Sequence, residues 1–141
     1  MARHHARELA LKILFEYDLA HVTLPHVLER TLNGASAQDG GYARQLVEGT
    51  VADKEQLDRW IAEASKEWRV SRMPTIDRNI LRLASYEIVH QGDVPLSVII
   101  NEAVELAQSY STAEAKRFVN GVLGSIAEKI RPEGDRDRPS Q

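Results

Sequence analysis

Apolar residues recur at steps of three and four along nearly the whole chain, and no stretch keeps the strict alternation that a half-buried strand requires. This spacing commits the chain to an all-α fold of six to seven helices. In the first segment Ala6, Leu9, Ala10, Ile13, Leu14 and Tyr17 form one stripe, with Glu8, Lys12, Glu16 and Asp18 largely off it. Pro25 suits the first turn of a short second helix carrying Val27, Leu28 and Leu32, which Asn33-Gly34 should stop. Ser36 to Asp39 resembles a capping arrangement ahead of Tyr42, Leu46, Val47 and Val51, and Leu57, Trp60, Ile61, Ala64 and Trp68 continue that face. One long bent helix or two shorter ones fit this stretch.

Pro74 and Pro95 each restart the pattern. The first restart carries Ile76, Ile80, Leu83, Ala84 and Ile88 and closes near Gly92. The second carries Ile99, Ala103, Leu106, Ala107 and Tyr110. Ser111 or Thr112 can cap a last helix striped by Val119, Val122, Leu123, Ile126 and Ile130. A chain of 141 residues is of one-domain size. We expect residues 1–131 to form one domain of two packed three-helix sub-bundles, about 1–70 and 71–131, divided at Ser71-Arg72-Met73-Pro74. Residues 132–141 carry no apolar side chain beyond prolines and are expected to be disordered, with Arg131 at the join.

Several function classes drop out at once. The absence of cysteine excludes disulfides, thiolate-held zinc and thiol nucleophiles, and fits a reducing compartment. The charged start has no signal-peptide apolar core, and no apolar run approaches the roughly 20 residues that span a bilayer. We therefore expect a cytoplasmic protein with no membrane association. The net charge of −3 argues against a protein that coats nucleic acid by bulk attraction. Residues 1–12 nevertheless hold Arg3, Arg7 and Lys12 against Glu8, so a cationic end sits on an acidic body.

Arg3, Arg7, Leu11 and Phe15 recur at four-residue steps and form a row along the first helix. Guanidinium groups pair with phosphates and an exposed aromatic stacks unpaired bases, the combination that single-stranded RNA requires. A solvated helix start with a buried Phe15 fits the same spacing. His4 and Glu8 are an i, i+4 pair, but a metal site needs three or four converging ligands, and no second cluster at ligand spacing is visible; neither metal nor cofactor is expected. Glu102 and Glu105, three apart, read as helix-contact residues and not as a catalytic pair, because no cleft-forming elements accompany them. Asp77, Arg78 and Arg82 begin a helix and suit either a protein interface or pairing along that helix, Arg82 with Glu87 for example. Gly121 and Gly124 interrupt a strong helical pattern at a cost of about 1 kcal/mol each. Close helix packing or close approach of a ligand would offset it, with Arg117, Asn120 and Gly124 on the side away from the apolar stripe.

Four runs, in order, resemble the NusB family of transcription antitermination factors: Ala6-Arg7-Glu8-Leu9-Ala10; Ile80-Leu81-Arg82-Leu83-Ala84-Ser85-Tyr86-Glu87; Val94-Pro95 through Ile100-Asn101-Glu102-Ala103-Val104-Glu105-Leu106-Ala107; and Phe118-Val119-Asn120-Gly121-Val122-Leu123-Gly124. The resemblance implies two perpendicular three-helix bundles and a non-enzymatic role in processive transcription of ribosomal RNA operons. It implies binding to boxA-type single-stranded RNA together with the small-subunit ribosomal protein NusE, and through that assembly to other Nus factors and RNA polymerase.

By the same resemblance, Arg3 and Arg7 belong to the RNA-binding N-terminus, with His4 and His5 where further arginines often stand. Phe15 and Tyr17 match aromatic positions near the RNA, and Arg117, Phe118 and Asn120 belong to the last-helix motif beside it. Asp77, Arg78 and Arg82 are the polar anchors for the protein partner, while Glu87 and Glu102 brace the core. Other readings are a stand-alone accessory module for an rRNA-modifying enzyme, since similar domains occur fused to rRNA methyltransferases, and a homodimer that stores the RNA surface. A catalytic role within this chain is not expected, because it has no nucleotide-binding glycine loop after a strand and no cysteine nucleophile.

Overall fold

The computed structural model describes residues 3–66 and 68–132. Its helices are α1 (His4–Leu19), α2 (Leu24–Leu32), α3 (Ala37–Ala52), α4 (Lys54–Ala64), α5 (Thr75–His90), α6 (Leu96–Tyr110) and α7 (Ala113–Ile130), with one 3₁₀ turn at Val70–Arg72. There is no strand among the described residues. The sequence punctuation acts where expected. Pro25 lies in the first turn of α2, and Gly34 adopts φ +87° just beyond it, a left-handed conformation that glycine reaches without Cβ penalty. Ser36 Oγ accepts from the Asp39 backbone N–H at 3.0 Å, and Thr112 Oγ1 accepts from Ala115 N–H at 3.0 Å, each satisfying one orphan donor of a helix start. The long stretch after Ser36 resolves into two helices, with Asp53 ending α3 and preceding α4.

Buried apolar side chains from all seven helices form one contiguous cluster. α5 is its axis and packs against α1, α3, α4, α6 and α7. α4, although it precedes residue 70, lies mainly against α5 and α7. Central placement explains the unusual burial on α5, where Asp77, Asn79, Arg82, Ser85 and Glu87 are removed from solvent with Ile80, Leu81, Leu83, Ala84 and Ile88. A helix enclosed on so many sides cannot keep its polar residues on a wet face, and all of these but Ser85, whose hydroxyl has no hydrogen-bond partner, find partners inside. α1 is likewise gripped by α2, α3 and α5, which widens its buried arc to include Arg7 and Leu11.

α3 approaches α5 closely at Gly49. A Cβ built there would lie 2.3 Å from the Tyr86 ring, so only glycine fits while the ring keeps its place. Gly49→Ala is expected to destabilise the protein by about 1–3 kcal/mol through overpacking, even though alanine favours the helix itself. Denaturant unfolding checks this, and Tyr86→Leu in the same chain should recover most of the loss. An equal penalty in the Tyr86→Leu background would show that the ring is not the obstacle.

The chain is closed at its far end by Arg131. Its buried guanidinium donates to the carbonyl oxygens of Glu87 (3.2 Å), Ile88 (3.1 Å), Gln91 (2.8 Å) and Val94 (2.7 Å). These are carbonyls of the last turn of α5 and of the loop after it, where a cation suits the helix dipole; those of Glu87 and Gln91 also accept a backbone N–H. The residues expected to form a disordered tail lie, beyond Pro132, outside the described residues. Among the described residues, no helix is long and apolar enough to cross a membrane.

Candidate nucleic-acid interface

The four-residue row of α1 does not run along an open surface. Arg3 is exposed, Arg7 and Leu11 are buried, and Phe15 is half-buried. Arg3 has a left-handed backbone, φ 69°, and turns its guanidinium over the ring of Tyr42 from α3, 4.3 Å from the centroid. A guanidinium stacked on an aromatic keeps its edge free for phosphate or base contacts while its face is held.

Arg7 is only 2% exposed. It grips Glu87 of α5 bidentately, Nε to Oε1 at 2.9 Å and Nη2 to Oε2 at 2.8 Å, and the Tyr42 hydroxyl donates to the same Oε2 at 3.0 Å. Burial by itself works against the Arg7 charge, but the hydrogen bonds and negative charge of Glu87 outweigh it, and the guanidinium pKa stands above its ordinary value. Burial, then the Glu87 charge, pushes the Tyr42 hydroxyl up to about 12. Arg7 therefore offers RNA no free face: it fixes α1 to α5 and carries the Tyr42 ring on which Arg3 rests. Its expected direct contact with RNA is corrected on that ground. Glu87 braces the core as its family motif implied.

His4 and His5 lie at the same end. His4 Nδ1 is 2.8 Å from Glu102 Oε1 of α6, and His5 Nδ1 is 3.6 Å from Glu8 Oε1. Tyr17 is half-buried. On α7, Arg117 and Asn120 are exposed, whereas Phe118 is half-buried and packs its ring against Trp68 at a centroid distance of 5.5 Å. Among the described residues no hydrogen bond, ion pair or ring contact joins these three α7 residues to α1. A methyl group added at Gly121 or Gly124 would meet nothing within 4 Å. Helix packing within this chain therefore does not account for the two glycines; they leave the α7 backbone open.

The expected partner anchors are spent within the chain. Asp77 is buried and accepts from Ser111 Oγ at 2.6 Å, which joins the start of α5 to the end of α6. Arg78 Nε donates to Asp18 Oδ2 at 2.7 Å. Arg82 donates to both oxygens of Asp58 at 2.8 and 3.0 Å and to Asp18 Oδ2 at 3.1 Å. Arg82 thus pairs with α1 and α4 and not with Glu87 along its own helix. Burial by itself raises the Asp18 pKa, but hydrogen bonds from Arg78 and Asn79 and the charges of Arg78 and Arg82 lower it further, for a net fall below its usual value. Exposed beside this network is Leu19, 62% accessible at the end of α1. Sequence reasoning missed Tyr42, Asp18 and Asp58, whose partners lie 24 to 64 positions away and leave no local signal.

Comparison with known proteins agrees with this architecture. The NusB family profile matches residues 4–128. The chain is 43% identical over 138 residues to the transcription antitermination protein NusB of Desulforudis audaxviator (strain MP104C), covering 94% of this chain and 100% of that protein. It is 46% identical over 136 residues to the NusB of Symbiobacterium thermophilum, covering 89% of each. Among solved structures, T. maritima NusB superposes with a TM-score of 0.88 at 31% identity over 96% of both chains. A chain from the crystal structure of antitermination factors NusB and NusE in complex with dsRNA superposes at 0.83, with 26% identity over 92% of this chain and 99% of the other. With the matched profile spanning α1 to the last turns of α7, this chain belongs to the NusB family.

Proposed function

We propose that the protein is a non-enzymatic, RNA-binding transcription antitermination factor of the cytoplasm that takes boxA-type RNA together with a NusE-type ribosomal protein. Through that pair it joins other Nus factors on RNA polymerase. The observation that carries this reading is the likeness, over 92% of the chain, to a chain of the crystal structure of antitermination factors NusB and NusE in complex with dsRNA. The domain spans residues 1–131.

The RNA-facing groups are Arg3 with His4 and His5 at the start of α1, the half-buried Phe15 and Tyr17, and the α7 patch of Arg117, Phe118 and Asn120. Gly121 and Gly124 supply a bare backbone beside that patch, four residues on from Arg117 and Asn120. The protein partner meets the edge where α1 ends and α5 begins: Leu19 is the apolar contact, Arg78 the partly exposed polar one, and Asp77 and Arg82 hold the edge in shape. A basic ribosomal protein is drawn by the acidic body of the chain.

Titration of boxA-like and scrambled RNA, with and without the ribosomal partner, tests the reading. Tighter binding to the boxA-like RNA, strengthened by the partner, is expected; equal binding of both RNAs under both conditions overturns it. Arg3→Ala should weaken RNA binding and reduce the slope of log affinity against log salt by about one counterion. An unchanged slope would remove Arg3 from the interface.

A further inference from the structure

The N-terminal turn of α1 and the middle of α6 bring together residues that sequence spacing keeps far apart. The side-chain ligand atoms of His4, Glu102 and Glu105 all lie within 4.8 Å of one another. His4 Nδ1 is 2.8 Å from Glu102 Oε1 and 3.9 Å from Glu105 Oε2. Tetrahedral ligands about 2.0–2.2 Å from a zinc ion stand roughly 3.4 Å apart, a separation this cluster reaches by small side-chain rotations.

The Glu102 carboxylate is the second observation. It is 1% exposed, and its Oε2 has no hydrogen-bond partner. A buried carboxylate oxygen left without a partner is costly, so Glu102 keeps acceptor capacity that His4 and Arg7, both at Oε1, do not use. A proton on His4 Nδ1 serves Glu102 Oε1 alone. A dication at that point serves the imidazole and both carboxylates.

The surroundings match what a bound ion requires. His4 Nε2 faces Glu8 Oε2 at 3.7 Å, beyond hydrogen-bond reach but on the side where an outer-sphere carboxylate orients a ligating histidine. Glu8 is in turn held by the Tyr110 hydroxyl at 3.1 Å and approached by His5 at 3.6 Å. Arg7 is a cation close by, with Nη1 3.7 Å from Glu102 Oε1, but its charge is matched by the bidentate contact with Glu87. What remains at His4 is the excess negative charge of Glu8, Glu102 and Glu105.

We propose that His4, Glu102 and Glu105 bind one divalent transition-metal ion of the zinc class and thereby clamp the N-terminal turn of α1 to α6. One imidazole with two carboxylates is a borderline donor set, suited to Zn²⁺ over Mg²⁺ or Ca²⁺. The ion would add positive charge beside Arg3; that consequence, unlike the site, rests on the RNA reading above.

Chelator-treated full-length protein titrated calorimetrically with Zn²⁺ tests the proposal. One equivalent should bind, at least tenfold more weakly in His4→Ala and in Glu105→Gln, and with unchanged affinity in His26→Ala, a histidine exposed on α2. Glu105 is exposed, so its replacement leaves α6 folded. Co²⁺ in place of Zn²⁺ should give visible absorption bands that His4→Ala abolishes. Absence of saturable binding, or undiminished binding in either His4→Ala or Glu105→Gln, overturns the proposal. No RNA enters this experiment, so its outcome is separate from that of the RNA titration.

Discussion

Arg7→Ala should cost about 3–5 kcal/mol of folding stability and lower the melting temperature by on the order of 10 °C or more. The substitution strands Glu87, a buried carboxylate, with Tyr42 as its one remaining donor among the contacts described above. Removing one member of a buried pair exposes the desolvation cost of the other, which exceeds the net worth of the pair itself. The second half of the prediction follows from that asymmetry. Arg7→Met combined with Glu87→Leu removes both charges and should recover most of the loss. Chemical denaturation of the two variants decides it, and wild-type stability in Arg7→Ala would overturn the account. Measured at a temperature where the variant is folded, its RNA affinity should keep the wild-type salt slope, in contrast to Arg3→Ala.

The second large effect is expected at Arg82→Ala, about 2–4 kcal/mol, because Asp58 loses both hydrogen bonds and α5 loses its charged link to α4. Arg82→Lys should restore little, since an ammonium cannot reproduce the two-pronged contact. Asp18 gives the same network a pH signature. Its folded pKa is depressed, so its contribution is fully present above the ordinary carboxylate pKa, near 4, and is lost as pH falls through the lower folded value. Thermal melts from neutral pH down to about pH 3 should show a steeper loss in the wild type than in Asp18→Asn. Parallel curves would mean that Asp18 carries no such linkage.

What could be foreseen from the chain divides along one physical line. Period, proline restarts and capping residues are local, and they located α2, α5, α6 and α7 and the caps at Ser36 and Thr112. The break at Asp53 has no local mark, neither proline nor glycine; Asp53 serves as the end of one helix and the start of the next. The N-terminal row failed for a different reason. Periodicity identifies one apolar stripe, whereas α1 is embraced by three helices and buries a second row, with Arg7 in it. A buried arginine is acceptable only because Glu87 stands opposite, 80 positions away, and local pattern cannot report such a partner. The same distance hid the cluster at His4, whose nearest carboxylate lies 98 positions along the chain.

Arg131 bears on how the molecule comes into being during synthesis. α5 is the axis of the fold, yet the carbonyls around its C-terminal end receive this guanidinium only from a residue made some forty positions later. On the ribosome, the helices can collapse around α5 while that end stays hydrated, and the latch engages only once the final turn of α7 has left the exit tunnel. Vectorial synthesis thus keeps the last fastening in reserve until every helix that must pack on α5 is already present.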